Sequence, residues 1–187
     1  MLRRQFLVLA GLFALPTSLF ANKLSLTPED QEGPFYPVKA IPLRSQLILN
    51  TKGLEDQIMQ LQGRILDSQG TPLSGAKIEI WQCDEKGVYD HPFQHSVQSF
   101  DKRFAGFGAQ LTDKEGNYAF TTIFPVPYTG RPPHIHVKII KDNNELLITQ
   151  LYLKPRKKWS WTPPETLQIA PKLKQNGQYK AEYTFVV

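Results

Sequence analysis

Short runs of alternating apolar and polar residues, separated by turn formers, recur along most of this chain. No helical spacing of apolar residues extends over any length after residue 21. Side chains of a β-strand point alternately to its two faces, so such runs form strands with one buried face. Roughly seven short strands without helices predict an all-β fold, a single antiparallel β-sandwich domain. The predicted strands include residues 58–66, 76–83, 118–123, 134–139, 145–153 and 178–187.

The N-terminus has the composition of an export signal. Arg3 and Arg4 precede an apolar run at residues 7–20, and the string around them resembles a twin-arginine signal. The run is shorter than the roughly 20 apolar residues that span a bilayer, so a membrane anchor is the weaker alternative. We therefore expect residues 1–21 to be a signal peptide and residues 22–187 to be the mature domain. The protein would be exported by a bacterium, periplasmic or secreted, with no membrane span after processing.

Charge and cysteine content exclude some functions. The formal net charge of +5 slightly suits an anionic small molecule, although a solvated basic loop at residues 154–158 is the favoured explanation, and no nucleic-acid-binding motif accompanies it. Nucleic acid is therefore not an expected partner. Cys83 is the only cysteine, so no disulfide can form within the chain. Its strand-like surroundings favour a packed structural thiol over a nucleophile.

Three stretches are too long for the turns of a plain sandwich. They are the Pro-rich residues 32–37, residues 84–110 with Tyr89, and residues 155–174 with Trp159. Long loops in a compact domain are usually functional or disordered, and the aromatic content of these favours function. We expect them to be active-site loops.

His134 and His136 lie two positions apart in a predicted strand, so they point to the same face, roughly 6 to 7 Å from each other. Two imidazoles so placed can bind one metal ion, although this pattern alone is a weak signal. No Asp or Glu lies within residues 128–138, so a third ligand of the usual carboxylate type is not obvious. A zinc hydrolase is one interpretation, and it would need a third protein ligand and a general base.

Two tyrosines offer another kind of donor. Tyr128 precedes His134 by six residues, and Tyr89 follows the end of a predicted strand. A phenol has an ordinary pKa of about 10, so it is deprotonated at neutral pH only when a strong Lewis acid binds it. Ferric iron is such an acid, whereas Ca²⁺ and Mg²⁺ are bound by carboxylates and waters.

Five motifs occur in order between residues 30 and 187. They are Glu32-Gly33-Pro34-Phe35-Tyr36-Pro37, Gly87-x-Tyr89-x-His91, Thr112-Asp113 through Gly116-x-Tyr118-x-Phe120, Tyr128-x-Gly130-Arg131-x-x-His134-Ile135-His136, and Thr149-Gln150-Leu151-Tyr152. Together they resemble the intradiol ring-cleavage dioxygenases, especially the β-chain type that acts on protocatechuate. The resemblance implies a β-sandwich with a prealbumin-like core and a mononuclear non-haem Fe(III) held by two tyrosines and two histidines. The matching positions are Tyr89, Tyr128, His134 and His136.

The resemblance also implies roles for three side chains near the metal. Arg131 would lie beside the substrate and stabilise negative charge that develops as oxygen adds. Gln150 would line the same pocket, and Tyr128 would leave the metal when a catechol binds. A surface ion pair for Arg131 and a satisfied strand amide for Gln150 are the plainer alternatives. The implied reaction uses O₂ to cleave a catechol-type aromatic, such as protocatechuate or catechol, between its two hydroxylated carbons, giving a muconate-type diacid.

Some positions depart from the family pattern. The loop between Tyr128 and His134 is shorter than in the well-known catechol and protocatechuate enzymes, Val126 stands where Gly is frequent, and Phe107 stands where many members have Arg. Because these loops line the substrate pocket, the resemblance does not identify the preferred catechol. It also leaves open whether the protein forms a homo-oligomer. Non-catalytic prealbumin-like binding or scaffold modules share the sandwich motifs and are the alternative function. Such modules have no reason to carry both tyrosines, the arginine and the two histidines together.

Overall fold

The computed structural model describes residues 23–95, 99–128, 130–154 and 162–187. The predicted signal peptide and part of the third predicted loop, residues 155–161, lie outside this part of the chain. No helix of the described residues is long and apolar enough to cross a membrane. One short helix, α1 (Pro92–His95), and two turns of 3-10 helix, Glu55–Gln57 and Glu165–Leu167, connect the strands. The strands are β1 Ile58–Leu66, β2 Lys77–Trp81, β3 Phe107–Leu111, β4 Asn117–Ile123, β5 His134–Lys141, β6 Asn144–Leu153, β7 Gln168–Ile169, β8 Lys172–Leu173 and β9 Tyr179–Val186.

The strands form two packed sheets, which confirms the predicted all-β sandwich. One sheet has the order β4-β1-β9-β8 and the other has the order β3-β2-β5-β6-β7. Most neighbouring strands are antiparallel, as predicted, but β1 pairs with β9 and β6 pairs with β7 in parallel. The pairing is therefore more mixed than the uniformly antiparallel sandwich that we expected. A parallel pair cannot be closed by a two-residue hairpin, and β9 reaches β1 from the far end of the chain.

Alternation within the strands decides which face of each sheet enters the core. Leu61 and Phe185 from the first sheet and Ile80 and Val137 from the second belong to one hydrophobic cluster, each at most 1% exposed. Burying a side chain of this size contributes roughly 1.5–3 kcal/mol. The same spacing that predicts the strands therefore accounts for much of the stability of the sandwich.

The outer face of the five-stranded sheet is also buried. Ile135 and Val137 of β5 enter the core between the sheets, so His134 and His136 point away from it. A second hydrophobic cluster covers the face that these histidines occupy. It consists of Trp81, Cys83, Tyr89 and Phe107, with Phe35, Tyr36, Ile41, Val126 and Tyr128 packed against it.

An N-terminal arm, residues 23–50, supplies part of this cover. The backbone N–H of Asp30 donates to the carbonyl of Ile148 at 3.0 Å, which ties the arm to β6. Further along the arm, Leu43 forms a bridge to Ala109 at the outer edge of β3. The arm therefore protects a sheet edge that would otherwise be open to another chain.

The predicted loop at residues 84–110 contains more regular structure than the sequence indicated, because α1 and β3 both lie at least partly within it. Gly108 of β3 meets the carbonyl oxygen of Arg44, which would lie 2.2 Å from an added Cβ. Glycine is required there because another segment of backbone approaches closely. A strand that depends on such an approach shows no apolar alternation of its own.

Candidate metal centre

His134 and His136 lie at the start of β5, which is paired on both sides. His136 is opposite Trp81 in β2 and Gln150 in β6, while His134 is opposite Tyr152. Both imidazoles are buried, and their ring centroids are 4.9 Å apart. The prediction that the two histidines share one face is confirmed.

A tight turn after β2 carries Tyr89. The Oδ1 atom of Asp84 accepts the backbone N–H groups of Lys86 at 2.8 Å and Val88 at 2.9 Å. Its Oδ2 atom accepts the N–H of Asp101 at 2.9 Å, from the other end of the same loop. Asp84 is completely buried, and these three donors satisfy its carboxylate. The turn therefore fixes the direction in which the chain leaves β2, and it places Tyr89 on the outer face of the five-stranded sheet.

A second turn carries Tyr128. The N–H of Arg131 donates to the carbonyl of Tyr128 at 2.7 Å. The side chain of Tyr128 packs against Gly87, where an added Cβ would come within 2.9 Å of the Tyr128 Cβ. Gly87 has a left-handed backbone (φ +80), which glycine adopts without steric cost. The absence of a side chain at Gly87 thus allows the two tyrosine-bearing loops to meet.

Donor atoms of three predicted ligands, Tyr89, Tyr128 and His134, lie close together, and the ring of the fourth, His136, lies beside them. The Tyr89 hydroxyl lies 3.2 Å from Nε2 of His134. The Tyr128 hydroxyl lies 3.5 Å from the same nitrogen and 3.3 Å from the Tyr89 hydroxyl. The ring of His136 is 5.9 Å from that of Tyr89, centroid to centroid. Imidazole nitrogens and phenol oxygens grouped in this way can bind a single ion.

A hydrogen bond fixes the tautomer of His134. Its Nδ1 lies 2.7 Å from the carbonyl oxygen of Pro132, which can only accept, so we place the proton on Nδ1. Nε2 therefore presents its lone pair to the two tyrosine hydroxyls, the arrangement found in metal-binding histidines. Burial lowers the pKa of His134 to about 4 and that of His136 well below its ordinary value. Both imidazoles are therefore neutral donors at neutral pH.

The two tyrosines need a cation to become phenolates. Burial raises the pKa of Tyr89 well above its ordinary value and also raises that of Tyr128, while the charge of Arg131 opposes both changes. Among the residues that the structure describes, no group of three or more His, Cys, Asp or Glu side chains could hold a metal ion. A metal at this point would thus depend on the phenol oxygens. Two neutral imidazoles and two phenols that a strong Lewis acid would deprotonate form a donor set that fits ferric iron.

Arg131 lies beside this cluster. Its Nη2 donates to Oε1 of Gln150 at 2.8 Å and to the Tyr152 hydroxyl at 3.3 Å. Within the described ranges of the chain, no carboxylate forms an ion pair with Arg131. Its positive charge is therefore available to an anion in the site. Arg131 and Gln150 therefore lie in contact with each other beside the four predicted ligands.

Several contributors were missed in the sequence. The Tyr152 hydroxyl donates to Oδ2 of Asp30 at 2.7 Å, and Nε2 of Gln150 donates to the carbonyl of Gln31 at 2.7 Å. Trp81 stacks on the ring of His136 with centroids 4.8 Å apart and planes inclined by 10°. The spacing of Gln150 and Tyr152 in β6 indicates that they share a face, but no local pattern points to the N-terminal arm.

Cys83 is part of the packing around the site. Its side chain is buried beside Tyr89, and Sγ lies 3.8 Å from the carbonyl of Val126. Burial raises the pKa of the thiol to about 12, so it is neither a nucleophile nor a thiolate ligand at neutral pH. The expectation of a packed structural cysteine is confirmed.

Known proteins share this sequence pattern. A family model described as Dioxygenase matches residues 31–164. Catechol 1,2-dioxygenase of Candida albicans is 33% identical over 139 residues, which cover 64% of this chain and 45% of that protein. The protocatechuate 3,4-dioxygenase beta chain of Burkholderia cepacia is 34% identical over 136 residues, which cover 66% of this chain and 57% of that one. This chain thus spans about half the length of the curated relatives it matches.

A solved structure shares the fold over nearly its whole length. The dioxygenase domain of a dioxygenase carbohydrate-binding protein fusion from Streptomyces sp. SirexAA-E matches with a TM-score of 0.71 and 27% identity. The match covers 87% of this chain and 98% of that domain. The family model covers more than half of the present sequence and includes all four tyrosine and histidine positions of the cluster. This chain therefore belongs to the intradiol ring-cleavage dioxygenase family.

Proposed function

We propose that this protein is a non-haem Fe(III)-dependent dioxygenase. It cleaves the ring of a catechol-type aromatic between its two hydroxylated carbons and gives a muconate-type diacid. The observation that carries the proposal is the cluster of two phenol oxygens and one imidazole nitrogen within 3.5 Å of each other, with His136 against them. Two of its relatives bear the names of catechol and protocatechuate, which are both aromatic diols.

Four side chains would hold the iron. Tyr89 and Tyr128 would bind as phenolates, and His134 and His136 as neutral imidazoles. Bound ferric iron would draw electron density from a catecholate and so make its ring reactive towards O₂. Two phenolates leave one positive charge of such an ion uncompensated, which favours an anionic substrate.

The two tyrosines have different surroundings, and we assign them different roles. Tyr89 is 2% exposed and follows the buried Asp84 turn, so it is held firmly. Tyr128 is half-buried and lies in the turn before β5. Burial raises the pKa of Tyr128, so its oxygen becomes a strong base once it is released as a phenolate. The Tyr128 oxygen would then accept a proton from a substrate hydroxyl.

Arg131 would orient the substrate and stabilise negative charge on it. The hydrogen bonds from Arg131 to Gln150 and Tyr152 both use Nη2, and the guanidinium also contacts the Tyr128 side chain, so its charge lies directly beside the proposed ligands. A fixed guanidinium without a neighbouring carboxylate stabilises developing charge without having to reorient. Gln150 would therefore act mainly by holding Arg131 in place.

We also propose that the enzyme acts outside the cytoplasm. Support comes from the basic and then apolar sequence of residues 1–21 alone. Edman sequencing of the protein recovered from the periplasm or medium would locate the cleavage. A mature chain that still begins at Met1 in the cytoplasm would contradict export.

Oxygen consumption by the iron-loaded protein tests the proposed activity. Catechol, protocatechuate and hydroxyquinol would each be added under air, with O₂ uptake followed by an electrode and products by mass spectrometry. We expect uptake with at least one of them and a product that has gained both atoms of ¹⁸O₂. No uptake by protein that has bound iron would contradict the proposal, as would a product cleaved outside the two hydroxylated carbons.

A further inference from the structure

The N-terminal arm touches both of the side chains, Gln150 and Tyr152, that accept hydrogen bonds from Nη2 of Arg131. The first acceptor, the Tyr152 hydroxyl, lies 2.7 Å from Oδ2 of Asp30. The second acceptor, Gln150, donates through Nε2 to the carbonyl of Gln31 at 2.7 Å. Consecutive residues of the arm therefore control the two partners of one guanidinium nitrogen.

The direction of the Tyr152 proton follows from its possible acceptors. A phenol has one proton, and two oxygens of the described residues accept a hydrogen bond from it: Oδ2 of Asp30 at 2.7 Å and Oε1 of Gln150 at 3.1 Å. A carboxylate is the stronger acceptor, and here it is also the nearer one. The proton therefore points to Asp30, and the lone pairs of the Tyr152 oxygen are left for Arg131.

The orientation of the Gln150 amide follows from the same rule. The carbonyl of Gln31 can only accept, so it must face the NH₂ group of Gln150. Oε1 is thereby turned towards Nη2 of Arg131, at 2.8 Å. Gln150 Oε1 accepts the hydrogen bond from Arg131 most strongly when the Tyr152 proton does not compete for the same oxygen.

We propose that Asp30 is a positioning residue for Arg131. Its carboxylate holds the proton of Tyr152 away from Gln150, so that Gln150 Oε1 and the Tyr152 oxygen both accept from Arg131. The inference rests on the proposed function, because the position of Arg131 matters to turnover only if Arg131 acts on the substrate. Asp30 itself does not touch the substrate in this arrangement.

A specific pattern of mutant effects follows. In Asp30→Ala the Tyr152 proton turns to Oε1 of Gln150, which is already within hydrogen-bond distance, and competes with Arg131. We expect kcat to fall about tenfold, the size of one lost charge-assisted hydrogen bond, with KM changed less than about twofold. Tyr152→Phe removes one acceptor but also removes the competing proton, so its loss should be smaller. Asp30→Ala combined with Tyr152→Phe should then recover to the level of Tyr152→Phe alone.

A purely structural role for Asp30 gives a different pattern. If the carboxylate only anchored the arm, its loss would add to that of Tyr152→Phe, and both KM and thermal stability would change. The backbone bond from Asp30 to Ile148 does not need the side chain, so Asp30→Ala keeps that anchor. Glu29→Gln is the matched control, because Glu29 is the exposed acidic neighbour and has no place in the site.

The test is a double-mutant cycle with a structural readout. Steady-state kcat and KM would be measured for the wild type, Asp30→Ala, Tyr152→Phe, the double variant and Glu29→Gln, with crystal structures of the wild type and Asp30→Ala. We expect recovery in the double variant, no change in Glu29→Gln, and a longer distance from Arg131 Nη2 to Gln150 Oε1 in Asp30→Ala. Additive losses in the cycle, or an unmoved Arg131 in Asp30→Ala, would overturn the inference. A wild type that binds iron but turns over no catechol would overturn the proposed function instead, and the Arg131 distances would still decide the role of Asp30.

Discussion

The turns that begin at Asp67 and Asp84 share one hydrogen-bonding design but differ in use. In each turn, Oδ1 of an aspartate accepts the N–H groups two and four residues later at 2.8 to 2.9 Å. In each, a left-handed glycine three residues after the aspartate donates to the aspartate carbonyl. The Asp67 turn is partly exposed, whereas Asp84 is completely buried. The donors are Gln69, Gly70 and Thr71 in the first turn and Lys86, Gly87 and Val88 in the second.

The difference shows how a common turn becomes part of a site. The second oxygen of Asp84 accepts a third N–H, from Asp101, and so joins two ends of a long loop. The next residue after the turn is Tyr89, and the glycine of the turn packs against Tyr128. Local sequence forms both turns, whereas tertiary contacts alone place the Asp84 turn beside the cluster of tyrosines and histidines.

The largest effect is expected from a substitution of Tyr89, the tyrosine that directly follows the Asp84 turn. Tyr89→Phe keeps the ring and its packing but removes the oxygen 3.2 Å from His134. We expect iron content and turnover to fall by more than about a hundredfold, beyond the loss typical of groups that only support a ligand. Metal analysis and O₂ uptake measure both quantities. Tyr183→Phe is the control, because its hydroxyl donates to Thr166 outside the site; equal losses in the two variants, or a fully active Tyr89→Phe, would contradict the ligand assignment.

Removing the aspartates compares the two turns directly. Asp84→Ala removes a completely buried carboxylate and leaves three N–H groups without their acceptor, that of Val88 in a buried place, so we expect a loss of about 3 kcal/mol in the free energy of unfolding. Iron affinity should also fall roughly 10- to 100-fold, since Tyr89 is no longer held. Asp67→Ala should cost much less, because water can replace its carboxylate, and should leave iron affinity unchanged. Urea unfolding and iron titration distinguish the two; matching losses of iron affinity would show that the Asp84 turn has no special role.

The glycines of the two turns offer a finer comparison. Gly87 (φ +80) and Gly70 (φ +86) both have left-handed backbones, so alanine should cost about 1–2 kcal/mol at either position. An added Cβ at Gly87 would lie 2.9 Å from the Tyr128 Cβ, whereas at Gly70 it would lie 3.7 Å from the end of the Leu24 side chain. We therefore expect Gly87→Ala to alter the visible absorption of the iron-loaded protein and Gly70→Ala to leave it unchanged. Identical spectra for both would mean that Tyr128 does not bind the metal.

The smallest effect is the acid titration of the exposed turn. Hydrogen bonds from the backbone, that of Thr71 first, lower the pKa of Asp67 below its ordinary value of 3.8. A depressed pKa means that this carboxylate stabilises the fold above pH 3.8, and that the contribution is lost as the pH falls through the lower, folded value. The amide signal of Thr71, followed by NMR, should titrate with a midpoint below 3.8 in the wild type and not at all in Asp67→Asn. A midpoint at or above that value would show that the Asp67 carboxylate accepts no stabilising hydrogen bond in this turn.

The fold was predictable where sequence spacing carries the information. Strand β1 occupies residues 58–66, as predicted, because apolar residues alternate with polar ones along most of its length. The sequence around strand β3 predicts a loop, because Gly108 is determined by the close approach of Arg44 rather than by local alternation. The parallel pairing of β1 with β9 joins residues more than a hundred positions apart, and no local pattern specifies such a register.

The site was predictable to a similar extent. The shared face of His134 and His136 follows from strand geometry alone, whereas Tyr89 and Tyr128 were assigned by their resemblance to a family. The supporting groups were not found, because Asp30 and Asp84 act through contacts with distant segments. In the sequence, no pattern distinguishes either residue from an ordinary surface or turn aspartate.

The central claim is that two tyrosines and two histidines bind one ferric ion. The most direct measurement is the iron content of the purified protein together with its visible absorption. We expect one iron per chain and a red-brown colour from tyrosinate-to-iron charge transfer, with both lost in Tyr89→Phe. A colourless protein that binds zinc, or that binds iron without this absorption, would contradict the claim.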